Sequence, residues 1–557
     1  MKNKNLSFNE RSVDVLIIGG GGAAGRAAIA SAQAGASTLM VLKKRLGASG
    51  ATTHKCCEIA GFNVPGCGDE RDTRETYLSD IMDAALGMAK PELAALLAEN
   101  AAERFEDLRQ WGLSPAEENG KPIVMKGCYS NYRRGYTIKG HGEPIMQALI
   151  RKMRSLDVEV LEDSMAVELL THNGRCCGAL LLDGDDSFLV VRAGAVILAT
   201  GGASRVFLNN LNPEDVSGDG YSLAYDSGAA LMNMEFMQAG IGFFHPVKSL
   251  FNTYLWAGFP KLRNNKGESF VDKYLPEGIS EKDVMLMHTR HFPFSSRDIS
   301  RYLEIAIQKE IENGGGNERM CLPVSFEHFT PEYIESLEYD ADLKQLWPLV
   351  QGHFAENGLD ITKDRIEITC VAQAINGGIM IDSSAMSGLE GLFAAGETAA
   401  GPHGADRLGG NMMGTCQVFG EIAGRCAAEY ALSHDKLETE VTLEGSFNVG
   451  LLYKQAAVDE MTLELQRTAQ TKLFICRTEE KLEQMLKKAD SLSQQLISSP
   501  DSEKPNRANL ELYHKINTAR IMATAAKARK ESRGSHYRED YPQRNDEMYS
   551  QPIILKK

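Results

Sequence analysis

The sequence predicts an α/β fold in which a doubly wound, two-dinucleotide-binding domain is interrupted by an inserted α+β domain and followed by a helical domain. Near the start, a buried strand breaks into a glycine run and an alanine-rich helix. Later, the composition shifts to aromatic, proline and charged residues, and then to long helical patterns with few glycines or prolines. The predicted boundaries are 1–239 and 367–434 for the dinucleotide-binding domain, 240–366 for the inserted domain, and 435–557 for the helical domain and tail.

The first element is predicted as a strand at residues 13–18 that turns into a helix from about Ala23. Gly20, Gly22 and Gly25 occupy the spaced positions of a GxGxxG pattern, which permits a tight turn, close approach of a pyrophosphate and close helix-to-strand packing. The amino end of the helix then offers N–H groups to the phosphates. Any tight strand-to-helix turn also favours glycine, so this pattern alone does not decide between a dinucleotide site and a plain turn.

The second strand ends in TLMVLKK, which places Lys43 and Lys44 where many dinucleotide-binding proteins carry an acidic residue. We therefore expect no carboxylate to bind a ribose at that position.

The middle of the first half alternates between helical and strand patterns. Residues 72–111 have helical periodicity, and residues 158–198 alternate as strands around turns at 173–174 and 183–186. The last of these strands, AGAVILATGG, reads as the return strand of the dinucleotide-binding domain. Helices are expected again across residues 448–530.

A second segment, GLFAAGETAAGPHGADRLGGN at residues 391–411, is similar to the distal half of an FAD site. Because the two halves lie almost four hundred residues apart, finding both indicates a flavoprotein far more strongly than either alone.

Composition and charge exclude several classes. With 557 residues, 43% hydrophobic and 24% charged, the chain is typical of a large globular enzyme. A net charge of -15 without a dense basic cluster opposes nucleic-acid binding. No apolar run is long enough to span a bilayer, and MKNKNLSFNERS has no signal-peptide core, so a cytoplasmic protein is expected.

The eleven cysteines include two adjacent pairs, Cys56-Cys57 and Cys176-Cys177, but no CxxC spacing. This excludes the usual local iron-sulfur and zinc-ribbon patterns, and no metal site is predicted. Thiols in a reducing compartment are the simplest interpretation, and electrons must then pass through the flavin or to another protein.

The order of motifs resembles the succinate dehydrogenase and fumarate reductase flavoprotein family, to which L-aspartate oxidase and the α chain of adenylylsulfate reductase are related. The resemblance rests on ATGGAS at 199–204, SGDGYSLAYDSGAALMNMEFMQ at 217–238, SSRDISR at 295–301, HGADRLGGN at 403–411 and KARKESRGSHYREDYPQRND at 527–546. It implies an FAD domain with a capping domain inserted near 240–365 and a helical C-terminal domain. It also implies hydride transfer between flavin N5 and a carbon-carbon bond next to a carboxylate.

The resemblance assigns roles to individual residues. It implies that Glu397 holds FAD, that a helix opening after Gly410 faces the flavin, that Arg407 grips a substrate carboxylate, and that Arg297 donates the proton. The residues it implies for cofactor binding are Gly20, Gly22, Gly25, Lys43, Ser49, Gly50, Thr52, Ala199, Thr200, Gly201, Asp219, Glu397, Arg407 and Asn411.

Several family positions are filled differently. Ala51 stands where many members attach FAD covalently, and His54 lies three residues on, so non-covalent FAD is predicted. Gln373 replaces a histidine. An ungapped reading also puts Gly240 at a second family histidine, although a shifted reading would let His245 replace it.

The same reading puts Asn252 and Thr253 at a family Thr-Glu pair. In the family, the histidines and the Thr-Glu pair would bind a second carboxylate. Because this chain lacks them, we expect its substrate to be an unsaturated or saturated acid other than fumarate or succinate. His141 and His403 both lie near cofactor segments, and His403 is the better candidate because it is inside a specific motif.

Two alternatives stay open: flavin-sulfite chemistry of the adenylylsulfate reductase kind, and a non-catalytic protein that binds FAD and a partner. An iron-sulfur or other electron-carrier partner is expected, although the sequence does not specify one.

Overall fold

The computed structural model describes residues 9–57, 59–338, 341–434 and 448–557. Two of the ranges outside the described residues bear on the sequence predictions. Residues 1–8 make up most of MKNKNLSFNERS, and the predicted helical domain begins within 435–447. The strands are β1 (Asn9–Ile18), β2 (Thr38–Val41), β3 (Ile59–Asn63), β4 (Glu117–Glu118), β5 (Lys121–Pro122), β6 (Val124–Met125), β7 (Gly135–Lys139), β8 (Glu159–Leu161), β9 (Met165–His172), β10 (Arg175–Leu182), β11 (Phe188–Leu198), β12 (Leu231–Met232), β13 (Met237–His245), β14 (Ser249–Leu250), β15 (Lys261–Leu262), β16 (Leu322–Ser325), β17 (Ile366–Ile375), β18 (Gly378–Met380), β19 (Leu392–Ala394), β20 (Ala399–Ala400) and β21 (Ile554–Leu555).

The α-helices alternate with these strands in the first half and dominate the end of the chain. They are α1 (Gly22–Gln33), α2 (Arg74–Ala85), α3 (Pro91–Gln110), α4 (Glu143–Arg154), α5 (Asp219–Asp226), α6 (Glu281–His288), α7 (Arg301–Glu310), α8 (Pro331–Ser336), α9 (Ala341–Glu356), α10 (Asn411–Ser433), α11 (Val458–Lys472), α12 (Glu479–Ser498) and α13 (Arg507–Ala528).

A seven-stranded sheet forms the centre of the molecule, in the order β8-β2-β1-β11-β10-β9, with β19 also pairing with β11. The pairs β8-β2, β2-β1, β1-β11 and β11-β19 are parallel, whereas β9, β10 and β11 form an antiparallel meander. Parallel strands are covered on both faces and therefore read as continuous apolar runs. The buried residues 15–18 and 39–41 fit that rule. The fold is the predicted α/β class.

Helices α1 and α10 pack against one another although they lie far apart in the sequence. Gly420 and Gly424 of α10 lie against α1: a Cβ at Gly424 would stand 2.3 Å from the carbonyl oxygen of Ala27, and one at Gly420 2.8 Å from that of Ala23. Only glycine permits so close an approach. The carboxyl ends of β1 and β11 and the amino ends of both helices therefore meet in one place.

The segment between β13 and β17 begins and ends on neighbouring strands. These two strands pair antiparallel in a five-stranded sheet, in the order β14-β13-β17-β16-β15. An aromatic core of Phe243, Phe251, Trp256 and Phe326 lies on this sheet, so these side chains are packing residues.

The last three helices, α11 to α13, lie where the sequence predicts helices, and α13 docks on α5 through a hydrogen bond of 2.9 Å from Thr518 Oγ1 to the carbonyl oxygen of Gly218. Throughout the described part of the chain, no helix has the length and apolar character needed to cross a membrane.

Candidate functional site

A deep cavity opens where β1, β2, α1 and α10 converge, and it extends to the sheet that carries β13. It has two ends. The dinucleotide end is formed by the glycine turn, the end of β2 and the start of α5, whereas the capping end faces β14 and the loop that follows α6.

The glycine turn at the dinucleotide end is shaped by close backbone contacts. Gly19 has a φ of +141°, and a Cβ on it would lie 2.1 Å from the carbonyl oxygen of Ala199. A Cβ on Gly20 would lie 2.7 Å from Ser49. The first turn of α1 starts at Gly22 with no side-chain cap, and the Gly22 N–H donates to Thr52 Oγ1 at 3.0 Å. The uncapped N–H groups of this turn can bind a pyrophosphate.

A charged group stands at the end of β2. Lys43 Nζ lies 2.7 Å from Asp219 Oδ2, and both groups contact Ser217 Oγ. Burial disfavours the charged form of Asp219, but Lys43 outweighs it and the pKa of the carboxyl is lowered. Asp219 lines the cavity, so a carboxylate does reach this position, from the start of α5 instead of from β2. The end of β2 itself carries lysines, as TLMVLKK indicates, and the predicted residue Asp219 stands beside them.

A second carboxylate at this end comes from Asp215, which the sequence did not single out. Its Oδ2 accepts from Ser49 Oγ and from the Gly50 N–H, both at 2.7 Å. Its Oδ1 is buried without a partner among the described residues and so can accept a hydrogen bond from a ligand. This residue orients the loop that follows β2.

In the middle of the cavity, α10 begins at Asn411 after Gly410, which has a φ of +85°. Glu397 lines the same wall and accepts from the Ile375 N–H at 2.9 Å. Burial raises the pKa of this carboxyl to about 7, against the opposing effects of that N–H and of Arg407. Near neutral pH, Glu397 can therefore either donate or accept a hydrogen bond.

At the capping end, Arg407 lines the cavity and is held by a buried amide. Its Nε and Nη2 donate to Gln238 Oε1 at 3.1 and 2.8 Å, and its Nη1 donates to the carbonyl oxygen of Leu408 at 3.2 Å. A guanidinium has five N–H groups, so two remain after the bonds to described residues, one on each terminal nitrogen. Two N–H groups suit the two oxygens of a carboxylate.

The capping end is otherwise weakly charged. A Cβ on Gly240 would lie 2.4 Å from the Phe292 ring, so this ring fills the space beside β13. Phe292 lines the cavity together with Asn252, Thr253 and Gln373. The Gln373 Oε1 is buried and has no partner among the described residues.

Comparison with known proteins identifies the molecule. Residues 14–413 match a family model described as an FAD binding domain, and residues 462–556 match one described as the fumarate reductase flavoprotein C-term. The chain belongs to the succinate dehydrogenase and fumarate reductase flavoprotein family. The predicted resemblance is therefore confirmed, and the protein is an FAD-dependent oxidoreductase.

Individual relatives are similar over nearly their full length. An uncharacterised FAD-dependent oxidoreductase of Methanocaldococcus jannaschii is 31% identical over 98% of this chain and 96% of its own. One of the subunits of the fumarate reductase (CoM/CoB) of Methanothermobacter marburgensis is 30% identical over 98% and 97%. The structure of Mycobacterium smegmatis Sdh1 in complex with UQ1 has a TM-score of 0.81 at 25% identity, covering 98% of this chain and 92% of that one.

The cavity fits FAD on observations of this structure. The glycine turn has no room for side chains, the amino ends of α1 and α10 both open onto the cavity, and Asp215 and Glu397 offer hydrogen-bonding atoms along it. Ala51, which the sequence comparison predicts at the family's covalent attachment position, lines the cavity, and its methyl side chain offers no nucleophile to a flavin. His54 also lines it.

Most of the residues predicted for this flavoprotein lie on the wall of the cavity: Gly20, Gly22, Lys43, Ser49, Gly50, Thr52, Ala199, Thr200, Gly201, Asp219, Gln373, Glu397 and Arg407. Four do not, and each has a structural reason.

Gly25 and Asn411 pack behind the wall. Gly25 faces Met146 and Leu149 of α4, where a Cβ would make ordinary contacts, so it lies on the packed side of α1 and not on the cavity wall. The Asn411 side chain is buried, and its Oδ1 accepts from Asn63 Nδ2 at 2.5 Å and from the Tyr77 hydroxyl at 2.7 Å. It fixes the start of α10 and does not line the cavity.

His245 lies at the exposed end of β13, where it pairs with Glu367, and it borders a separate depression beside Arg319 and Arg365. The register keeps Gly240 beside the cavity, paired with Val371. The shifted reading, in which His245 would replace a family histidine, is therefore wrong.

Arg297 is held one layer away from the cavity. Its Nε and Nη2 donate to Asp406 Oδ2 at 3.0 and 2.8 Å, its Nη2 also donates to the carbonyl oxygen of Ala84, and its guanidinium stacks on the Tyr129 ring at 4.5 Å. Asp406 directly precedes Arg407 in the sequence, and of the two arginines only Arg407 lines the cavity.

Of the two histidines, His403 was predicted as the better candidate for the flavin site, but His141 is the one that lines the cavity. His403 is buried and bonds to Thr415 Oγ1 at 2.9 Å, away from the cavity wall, and burial holds its pKa well below the ordinary value. His141 lines the cavity beside Cys56 and Cys57. Gln238 and Phe292 were not predicted as site residues, although Gln238 ends the motif at 217–238; only the contacts reveal their part in the site. Cys56 and Cys57 were noted as an adjacent pair, but their place on the cavity wall is known only from the structure.

Proposed function

We propose that the protein reduces, or in reverse dehydrogenates, the carbon-carbon bond next to the carboxylate of an acid other than fumarate or succinate. Bound FAD supplies the hydride donor or acceptor. The observation that carries the proposal is the capping end, where one arginine, Arg407, and an aromatic ring, Phe292, line the same cavity.

Arg407 would bind and orient the single carboxylate. Gln238 holds its guanidinium by two bonds and leaves one N–H on each terminal nitrogen for the substrate oxygens. Burial lowers the pKa of Arg407. The ordinary pKa of a guanidinium is so high that the group keeps its charge at neutral pH.

Phe292 argues against a second carboxylate. Its ring occupies the space beside Gly240, and the nearby Asn252, Thr253 and Gln373 are neutral. A second carboxylate would lose its hydration there without gaining a cation, which is costly in a buried site. An apolar substituent would instead contact the ring.

Arg297 enters the proposal as the proton donor because SSRDISR matches the family motif. Because its pair with Asp406 holds Arg297 outside the cavity wall, the proposal requires Arg297 to move toward the cavity when substrate binds. Arg297→Gln should abolish turnover while FAD stays bound, and Arg301→Gln, four residues away, serves as the control. Unchanged turnover in Arg297→Gln would remove this residue from the mechanism.

The test of the substrate class is reoxidation of photoreduced holoprotein under anaerobic conditions by a panel of enoates. Those with one carboxylate and an apolar substituent should reoxidise the flavin faster than fumarate does. If fumarate is fastest, the proposed substrate class is wrong. Flavin bleaching by sulfite with AMP would indicate flavin-sulfite chemistry, and no reoxidation by any enoate would indicate a non-catalytic role.

We propose further that FAD is bound non-covalently and exchanges electrons with an electron-carrier protein, iron-sulfur or other. The non-covalent state is supported by Ala51 at the attachment position. Acid precipitation should release the flavin into solution, and a yellow pellet would contradict the proposal. The partner is supported by a relative that is named as one subunit of an enzyme.

A further inference from the structure

Cys56, Cys57 and His141 form a cluster on the cavity wall that the proposed hydride chemistry does not use. The two Sγ atoms and the His141 Nε2 all lie within 4.8 Å of one another, and Cys56 Sγ lies 3.6 Å from Nε2. Both cysteines are thiols, and all three residues line the cavity.

The surrounding structure holds the cluster in place. The Leu250 N–H and Ser249 Oγ donate to the carbonyl oxygen of Cys56 at 3.0 and 3.4 Å, and Cys57 Sγ donates to the carbonyl oxygen of Ile59 at 2.9 Å. Leu250 and Ser249 belong to β14 and Ile59 to β3, so the thiols lie between the capping side and a strand whose Asn63 bonds to Asn411 at the start of α10.

His141 is placed at a cost in backbone energy. It has a φ of +58°, a conformation that residues with a side chain adopt rarely and that costs about 1 kcal/mol or more. Its Nδ1 is buried without a partner among the described residues, whereas Nε2 faces Cys56. An imidazole in this position can accept a proton from a thiol.

The other adjacent pair, Cys176-Cys177, shows that neighbouring cysteines need not meet. It lies in β10, where successive side chains point to opposite faces. Cys176 Sγ bonds to the carbonyl oxygen of Gly178 and Cys177 Sγ to that of Leu170. The proximity of the Cys56 and Cys57 thiols is thus a property of their loop.

We infer that Cys56 and Cys57 form a dithiol–disulfide pair that exchanges two electrons with FAD. In the oxidising direction, both S–H bonds break and one S–S bond forms. The two electrons and one proton pass to the flavin, and the other proton passes to His141 Nε2. A disulfide between neighbouring residues is strained and readily reduced, so the step is reversible. The inference rests on FAD binding and not on the enoate substrate.

The test counts reducing equivalents in the FAD-loaded protein. After mild oxidation with diamide and removal of the reagent, anaerobic titration with dithionite should consume two electrons more per flavin in the wild type than in Cys57→Ser. Cys177→Ser is the matched control and should titrate like the wild type. Equal uptake by the wild type and Cys57→Ser at full flavin content would overturn the inference.

A second measurement needs no variant. Diamide-treated wild type should lose the mass of two hydrogens in the peptide that contains Cys56 and Cys57, and reduction by light-reduced flavin should restore it. The same three side chains could instead bind zinc. Stoichiometric zinc that is lost in Cys57→Ser, with no mass change on oxidation, would replace the redox pair by a metal site.

His141→Gln separates a proton acceptor from a packing residue. It should slow electron exchange between the thiols and flavin about tenfold or more while the final electron count stays the same. A count reduced by two would mean that His141 only positions the cysteines. None of these measurements uses an enoate, so they can fail or succeed independently of the proposed substrate.

Discussion

The two ends of the cavity are built in different ways. At the dinucleotide end, backbone atoms shape the wall: Gly19 and Gly20 lie so close to Ala199 and Ser49 that no side chain fits. At the capping end, Arg407, Gln238 and Phe292 come from separate segments and contribute side chains. A site made of backbone imposes residue types on a short stretch of sequence, whereas a site made of side chains is assembled only in the folded chain.

The difference predicts that the dinucleotide end tolerates substitution least. Gly19→Ala should abolish FAD binding and destabilise the fold by at least about 2 kcal/mol, since its Cβ would lie 2.1 Å from the Ala199 carbonyl oxygen at a φ of +141°. Flavin absorbance per protein and thermal unfolding measure both effects. Gly388→Ala, which meets no atom within 4 Å, is the control. Full flavin content in Gly19→Ala would show that the turn can move.

At the capping end, Arg407→Gln should leave FAD bound but lower kcat/KM by about a hundredfold or more, because two charge-assisted hydrogen bonds to the substrate are lost. Steady-state kinetics with the fastest enoate measures the change. Arg425→Gln, on the exposed face of α10, controls for loss of a positive charge. If kcat/KM stays at the wild-type value, Arg407 does not bind the carboxylate.

Phe292→Ala should change selectivity more than stability, since its ring is only partly buried. We expect kcat/KM for enoates with apolar substituents to fall about tenfold, a loss of roughly 1.4 kcal/mol of contact, with little change for fumarate. Phe244→Ala is the control, because Phe244 contacts Lys248 outside the cavity. Equal losses for all substrates would mean that the ring shapes the fold and not the pocket.

A different kind of effect, on the pH dependence of stability, is expected at Glu397, between the two ends. Burial raises its pKa from 4.5 to about 7, so the protonated form favours folding. Its contribution to stability is complete below pH 4.5 and is lost as the pH rises through 7. Urea unfolding of the FAD-free protein should show this loss, and Glu397→Gln should flatten that part of the pH profile. An unchanged profile in the variant would assign the pH dependence to another group.

The dinucleotide end could largely be predicted from the sequence. The helix expected from about Ala23 begins at Gly22, and the helix expected after Gly410 begins at Asn411. Both positions follow from glycines that the backbone requires. Gly25 was assigned to the site by its spacing alone, but spacing does not reveal that α4 packs against it.

The capping end could be predicted only in part. Arg407 was found through its motif, but its partner Gln238 and the ring beside Gly240 depend on the pairing of β13 with β17 and on the loop after α6. His245 failed because register decides which face of the cavity a strand residue reaches.

Helices α1 and α10 both open onto the cavity, yet α10 begins at residue 411. A ribosome must therefore complete almost three quarters of the polypeptide before any part of it can retain the flavin. Colour would then report that both halves of the flavin site have been made, and a translation product that stops before α10 would be colourless.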